Sequence, residues 1–218
     1  MPTTREFIAG ILFVLSLTLL SCSEQRKKRA TTTTTDTMNA QMIESIENFK
    51  KRQIHSNLTA EIIDTTPDSM LLQTVFDQLS TKLPEDYQKE YQTVTNWTKP
   101  QQAIYIIWVL EAEVNNGGFN QFYFNSSGQF ADLTVDALTR VGAKKFADLA
   151  ASANEIYKAN REEITTHQDG TLEGFAESYE DNPLNKLDEE FYDLSSKENL
   201  QKRQIAYVRS HKEYFIDK

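Results

Sequence analysis

Two apolar rhythms divide this chain. Residues 7–20 form an apolar run interrupted only by Ser16 and Thr18. Residues 22–37 show no apolar periodicity, and from Met42 onward apolar residues recur mostly at spacings of three and four. That spacing puts one apolar stripe on each helix, whereas strand-like alternation is scarce. The expected fold is therefore all-α, a single compact multi-helix domain over residues 38–218. Met42, Ile43, Ile46 and Phe49 mark a first helix that Ile54 can extend. Thr66-Pro67-Asp68 reads as a helix start, with Thr66 as cap, Pro67 in the first turn and Asp68 at the positive end of the dipole. Leu71, Leu72, Val75, Phe76 and Leu79 form its buried stripe, Leu83-Pro84 ends it, and Pro84-Glu85-Asp86 opens a short helix through Tyr87 and Tyr91.

Lys99-Pro100 begins the central helix. Residues 103–110 are apolar on nearly every side, the signature of a helix enclosed by others. A buried strand competes for such a short run, but Gln101-Gln102 before it and Glu111-Ala112-Glu113 after it favour helix. Asn115-Asn116-Gly117-Gly118 is the sharpest break in the chain, and residues 119–124 beyond it read as a short aromatic helix or turn. Residues 133–141 and 144–161 read as two helices around Gly142. Residues 164–183 read as irregular, residues 187–194 as helical, and residues 198–215 as a final helix with Leu200, Ile205, Val208 and Phe215 buried.

The N-terminal run is shorter than the roughly 20 residues that span a bilayer. It follows Arg5 and ends in Leu19-Leu20-Ser21-Cys22, which reads as a lipobox, so residues 1–21 are expected to be a cleaved signal. Cys22, the only cysteine, would carry the lipid and anchor the protein to a membrane of the bacterial cell envelope. Residues 22–37 then form a tether, with the basic cluster Arg26-Lys27-Lys28-Arg29 and a run of threonines at 31–35. A chance cysteine in a buried helix is the competing reading of Cys22. With no further cysteine, a mature chain has no internal disulfide or thiolate site.

The chain carries a formal charge of −9. Residues 1–21 hold one charge of each sign and residues 22–37 four basic and two acidic groups, so residues 38–218 carry −11. Such acidity disfavours direct nucleic-acid binding, which needs cations against phosphate. It suits a basic protein partner, and it equally serves solubility. The acidic groups are read as spread over several helices, with Asp188, Glu189, Glu190 and Asp193 as the candidate binding face.

One dense polar and aromatic constellation runs from Glu111 through Glu113, Asn115, Asn116, Gly117, Gly118, Phe119 and Gln121 to Phe124. Glu111 and Glu113 lie two apart, so on a helix they point in nearly opposite directions and cannot form one dyad. The structural reading is that both glycines can take positive φ where a buried helix ends, with Glu111, Glu113, Asn120 and Gln121 serving the freed backbone groups. The catalytic reading makes Glu111 or Glu113 the acid or base of a hydrolase. His55, His167 and His211 are too dispersed to suggest a metal site, no phosphate-binding glycine loop is present, and no cofactor is expected.

Trp108-Val-Leu-Glu111-Ala-Glu113-Val-Asn-Asn-Gly-Gly-Phe-Asn-Gln-Phe-Tyr-Phe-Asn125, followed by Ala137-Leu138 and Val141-Gly142-Ala143, resembles the bacterial DNA-mimic protein family over residues 68–215. The resemblance implies an acidic all-helical domain, often a homodimer. It also implies a negative surface that, in a known member, occupies the DNA-binding face of a transcription regulator. The shared motif carries over as a folding motif and assigns no catalytic residue. A mimic needs a cytoplasmic regulator, whereas the signal directs this chain outward. The expected function is thus a lipid-anchored acidic protein-binding or scaffold module. A DNA mimic acting on a basic regulator is the alternative, and a hydrolase is the second.

Overall fold

The computed structural model describes residues 42–167, 171–180 and 182–216. The expected signal, Cys22 and the tether lie outside them. The chain separates into two units, Met1–Gln53 and Ile54–Lys218. In the first, residues 42–50 form helix α1, and Arg52 lies over the Phe49 ring while donating to the Phe49 carbonyl at 2.8 Å. Ile54 is outside that helix and exposed.

The second unit is all-helical among its described residues. Its elements are α2 (Ala60–Thr65), α3 (Asp68–Thr81), α4 (Glu90–Thr95), α5 (Lys99–Phe124), α6 (Ala131–Arg140), α7 (Lys144–Ala159), α8 (Arg161–Thr165), α9 (Leu172–Glu177), α10 (Asn185–Lys197) and α11 (Leu200–Ser210). Short 3-10 turns sit at Tyr87–Lys89, Ser126–Phe130 and Lys212–Tyr214. Among the described residues, no helix is long and apolar enough to cross a membrane.

Helix α5 is the axis of this unit, with α3, α4, α6 and α10 packed against it. Its start is set by Gln101, whose Oε1 accepts from the Thr98 N–H at 3.1 Å and from the Thr98 hydroxyl at 3.0 Å. Ala103 through Ile107 and Leu110 are buried, as the all-round apolar pattern requires. The stripe of α3 meets it: Leu71, Leu72, Val75 and Leu79 are buried, and Phe76 stacks on Trp108 with centroids 4.6 Å apart. Helices α6 and α7 turn about Gly142, where Ala143 N–H donates to Leu138 O at 2.9 Å and Gly142 N–H to Thr139 O at 3.0 Å.

Three local expectations are corrected. Thr66 does not cap α3; its hydroxyl donates back to Ile62 O at 2.6 Å and closes α2 instead. The break at the glycines stands as expected, with a short helical arm over residues 119–124 beyond it. Residues 164–183 are not wholly irregular, since they contain the end of α8 and all of α9. The final helix is shorter than expected, because Asn199 caps it by accepting from Lys202 N–H at 2.7 Å. Leu200, Ile205, Val208 and Phe215 are nonetheless all buried. Arg209 of α11 reaches back to the α2–α3 junction, donating to Ile63 O at 2.6 Å, Thr66 O at 2.9 Å and Asp68 Oδ1 at 2.6 Å.

Candidate functional site

The site grows from the interruption of α5. Helical geometry fails at Gly117 (φ −157°, ψ 31°) and Gly118 (φ 71°, ψ −176°) and then resumes at Phe119. Positive φ, expected for both glycines, holds only for Gly118. A Cβ there would also overlap the Asp188 carboxylate. Gly117 is extended, and its requirement is space, because a Cβ would run into the Gln121 amide and the Tyr179 hydroxyl.

The backbone groups freed by the break find partners far along the chain. Tyr192 donates its hydroxyl to Val114 O at 2.7 Å, and Tyr179 donates to Gly117 O at 2.8 Å. Phe119 N–H donates to Asp188 Oδ1 at 2.7 Å. Buried Asn120 donates to Ser178 Oγ at 2.7 Å and accepts from Asn182 Nδ2 at 2.9 Å. The expected partners Glu111, Glu113, Asn120 and Gln121 therefore do not serve the helix end. Residues around α9 and α10 do so, and sequence spacing gave no signal for them.

Glu113 instead organises a buried side-chain network. Its Oε2 accepts from Gln121 Nε2 at 2.7 Å and Asn125 Nδ2 at 2.8 Å, and its Oε1 from Ser127 Oγ at 2.7 Å. Gln121 Oε1 in turn accepts from Asn116 Nδ2 at 2.9 Å. Three donors use most of the acceptor sites of one carboxylate, which suits a structural anion more than a base that must receive a substrate proton. Phe119 is buried and meets Phe191 edge-on, while Asn115 is exposed and stands outside the network.

Glu111 faces elsewhere, as its spacing from Glu113 predicted. Burial pushes its carboxyl up to about 7, against the opposing effect of a 2.7 Å hydrogen bond from Gln204 Nε2. Gln204 is fully buried and its Oε1 has no hydrogen-bond partner among the described residues. A proton on Glu111 would supply a donor that this amide, turned over, can accept. His167 lies 3.1 Å from Glu177, and His211 stacks on Tyr207. Among the described residues no group of His, Cys, Asp or Glu could hold a metal ion.

The four residues of the candidate acidic face separate. Asp188 turns inward to the α5 break, and burial pushes its carboxyl up to about 6 despite the bond from Phe119 N–H. Glu189, Glu190 and Asp193 are exposed, and Glu190 approaches Lys186 at 4.0 Å. The charge is not evenly spread over the helices. Residues 161–193 hold eleven acidic and two basic side chains, which accounts for nine of the eleven net negative charges on residues 38–218. The motif in α5 and the acidic segment are thus one assembly, joined through Tyr179, Asp188 and Tyr192.

A family model described as DMP19-like protein matches residues 95–211. That span covers the α5 motif and the acidic segment, and it agrees at family level with the resemblance drawn from the motif. No curated protein and no solved structure matches the chain.

Two predictions rest on this geometry. Gly118→Ala should destabilise the domain by about 1–2 kcal/mol from its positive φ, with a further loss from displacing Asp188. Thermal unfolding measures it, and an unchanged Tm would refute the assigned backbone. The second concerns pH. The folded state binds the Glu111 proton more tightly than the unfolded chain, so its stabilising contribution is fully present below the ordinary carboxyl range and is lost as pH rises through about 7. Tm should therefore fall between pH 5 and pH 8, and Glu111→Gln should flatten that fall and raise Tm at pH 8. An identical pH profile in the variant would remove Glu111 as the cause.

Proposed function

The chain belongs to the DMP19-like protein family, and from that premise we propose an acidic protein-binding module, held at the bacterial envelope by a lipid on Cys22, whose face from residues 161–193 meets a basic protein. The observation that carries this reading is the concentration of charge on a segment fastened to the core by the family motif. Glu173, Glu180, Glu189 and Asp193 are exposed and make no ion pair among the described residues. Carboxylates left unneutralised at the surface steer a cationic partner. The same charge repels phosphate, so the partner is protein rather than nucleic acid. The polar, threonine-rich composition of residues 22–37 supports reading them as a tether.

The family match favours a second reading, in which the same carboxylates imitate phosphates. Duplex DNA carries one charge per about 1.7 Å of axis. Successive exposed acids on α10, Glu189 and Asp193, lie one helical turn apart. The two readings share a surface and differ in partner and compartment.

Anchoring is checked by fractionation. Cys22→Ser should move the protein from membrane to soluble fractions and abolish fatty-acid labelling, and unchanged retention would end the lipoprotein reading. The face is checked by binding. Combined Glu189→Gln, Glu190→Gln and Asp193→Asn should weaken a crosslink-identified envelope partner at least ten-fold and flatten its salt dependence while leaving Tm within a few degrees. Asp188 is kept because it supports the fold. Displacement of duplex DNA from a cytoplasmic regulator, with a cytoplasmic pool of this protein, would replace the first reading by the mimic.

A further inference from the structure

A cleft of about 560 Å³ opens where the Tyr87–Lys89 turn, the end of α5 and α7 meet. Its volume lies within the roughly 300–1,000 Å³ usual for small-molecule sites. Neither Glu111 nor Glu113 lines it, and it lies outside the contacts that fasten the acidic segment. Two features set it apart from the rest of the domain.

The first is its aromatic wall. Tyr123 is buried, and its hydroxyl donates to Asn154 Oδ1 at 2.7 Å. Asn154 is itself held, donating to Ala131 O at 2.8 Å. Tyr157 lies flat on Tyr123, with centroids 4.1 Å apart and planes 5° apart. The wall is therefore locked in place before any ligand arrives. Tyr87, 45 % exposed, contributes a second ring at the rim. The second feature is charge. Lys158 and Arg161 line this cleft in a domain that is otherwise strongly acidic. Lys158 is matched by Asp132 at 2.7 Å. Arg161 is exposed and has no ion pair among the described residues, so the lining keeps one unmatched cation.

We propose that this cleft binds a small planar aromatic molecule bearing one anionic group, its ring against the tyrosine wall and its anion on Arg161. Offset stacking on a fixed ring favours a planar partner. The guanidinium fork favours a carboxylate or phosphate over a neutral group. Such a ligand also escapes the repulsion that the rest of the surface imposes on larger polyanions. Arg161 is the first residue of the acidic segment, but none of that segment's carboxylates lines the cleft, so the inference does not rest on the acidic binding face.

Phenyl phosphate serves as the probe, titrated against the full-length protein in detergent micelles and followed by saturation-transfer NMR. Saturable binding is expected, with inorganic phosphate and phenol each at least ten-fold weaker. Arg161→Ala should weaken phenyl phosphate at least five-fold, and Tyr157→Leu should do the same with the fold verified by circular dichroism. If Tyr157→Leu unfolds, Tyr87→Ala at the exposed rim takes its place, with a weaker but measurable loss expected. Absence of saturable binding, unchanged affinity in Arg161→Ala, or inorganic phosphate binding as tightly as phenyl phosphate would each overturn the proposal.

Discussion

The structure depends on one unfinished business of helix α5: a buried helix is interrupted, and its freed polar groups must be satisfied inside the protein. An unpaired buried amide or carbonyl costs on the order of 1–3 kcal/mol. The break at Gly117-Gly118 frees groups around Val114, Gly117 and Phe119, and each finds a partner 62 to 78 residues away in sequence. That requirement ties the C-terminal half of the domain to its axis. It also explains the residue types. Gly118 is needed for its φ and for the approach of Asp188, whereas Gly117 is needed because Tyr179 and Gln121 occupy the space a side chain would take.

Glu113 stabilises the same break from the other side. A buried carboxylate is tolerated only when its charge is met by donors. Gln121, Asn125 and Ser127 supply them, and all three lie beyond the glycines in sequence. The network therefore clasps the two arms of α5 across the kink. Asn116, Gln121 and Glu113 form a relay in which each amide has a defined orientation, because an amide that donates to Glu113 must present its oxygen to Asn116. This is why the Asn-Asn-Gly-Gly-Phe-Asn-Gln string reads as a unit. Within it Asn116 and Gln121 answer to one carboxylate, Asn120 to Ser178 and Asn182, and the glycines to one bend.

Local periodicity revealed most of the helices, because an amphipathic stripe is a local property. The all-apolar run at residues 103–110 correctly marked the buried axis, and Leu200, Ile205, Val208 and Phe215 correctly marked the last buried face. The spacing of Glu111 and Glu113 was enough to separate them. What stayed hidden is non-local. Nothing in the spacing of Tyr179, Asp188 or Tyr192 reveals that they reach back to α5, and Asp188 looks like its exposed neighbours. Short helices α8 and α9 were also missed, since five or six residues carry too little periodicity to register. Thr66 misled for a related reason. A threonine before proline suits a cap, but its hydroxyl had a nearer acceptor in the helix it was leaving.

The fastening of the acidic segment bears on how such a surface can exist at all. Eleven acidic side chains against two basic ones within residues 161–193 repel one another and favour an expanded segment. Short helices such as α8 and α9 are marginal by themselves. Their order must come from tertiary contacts: buried Ile164, the ring contacts of Phe175 with Phe124 and of Phe191 with Phe146, and the attachment of Tyr179, Asp188 and Tyr192 at the α5 break. Asp188 turns inward and meets an N–H, whereas Glu189 and Asp193 stay in water. One acid is thus spent on the fold so that its neighbours can keep a fixed geometry at the surface. A partner that reads carboxylates by position needs that geometry, because a flexible acidic tail would have to be ordered on binding at the cost of affinity. The motif that defines the family and the charge that suggests its function are therefore coupled through the stability of a single bend.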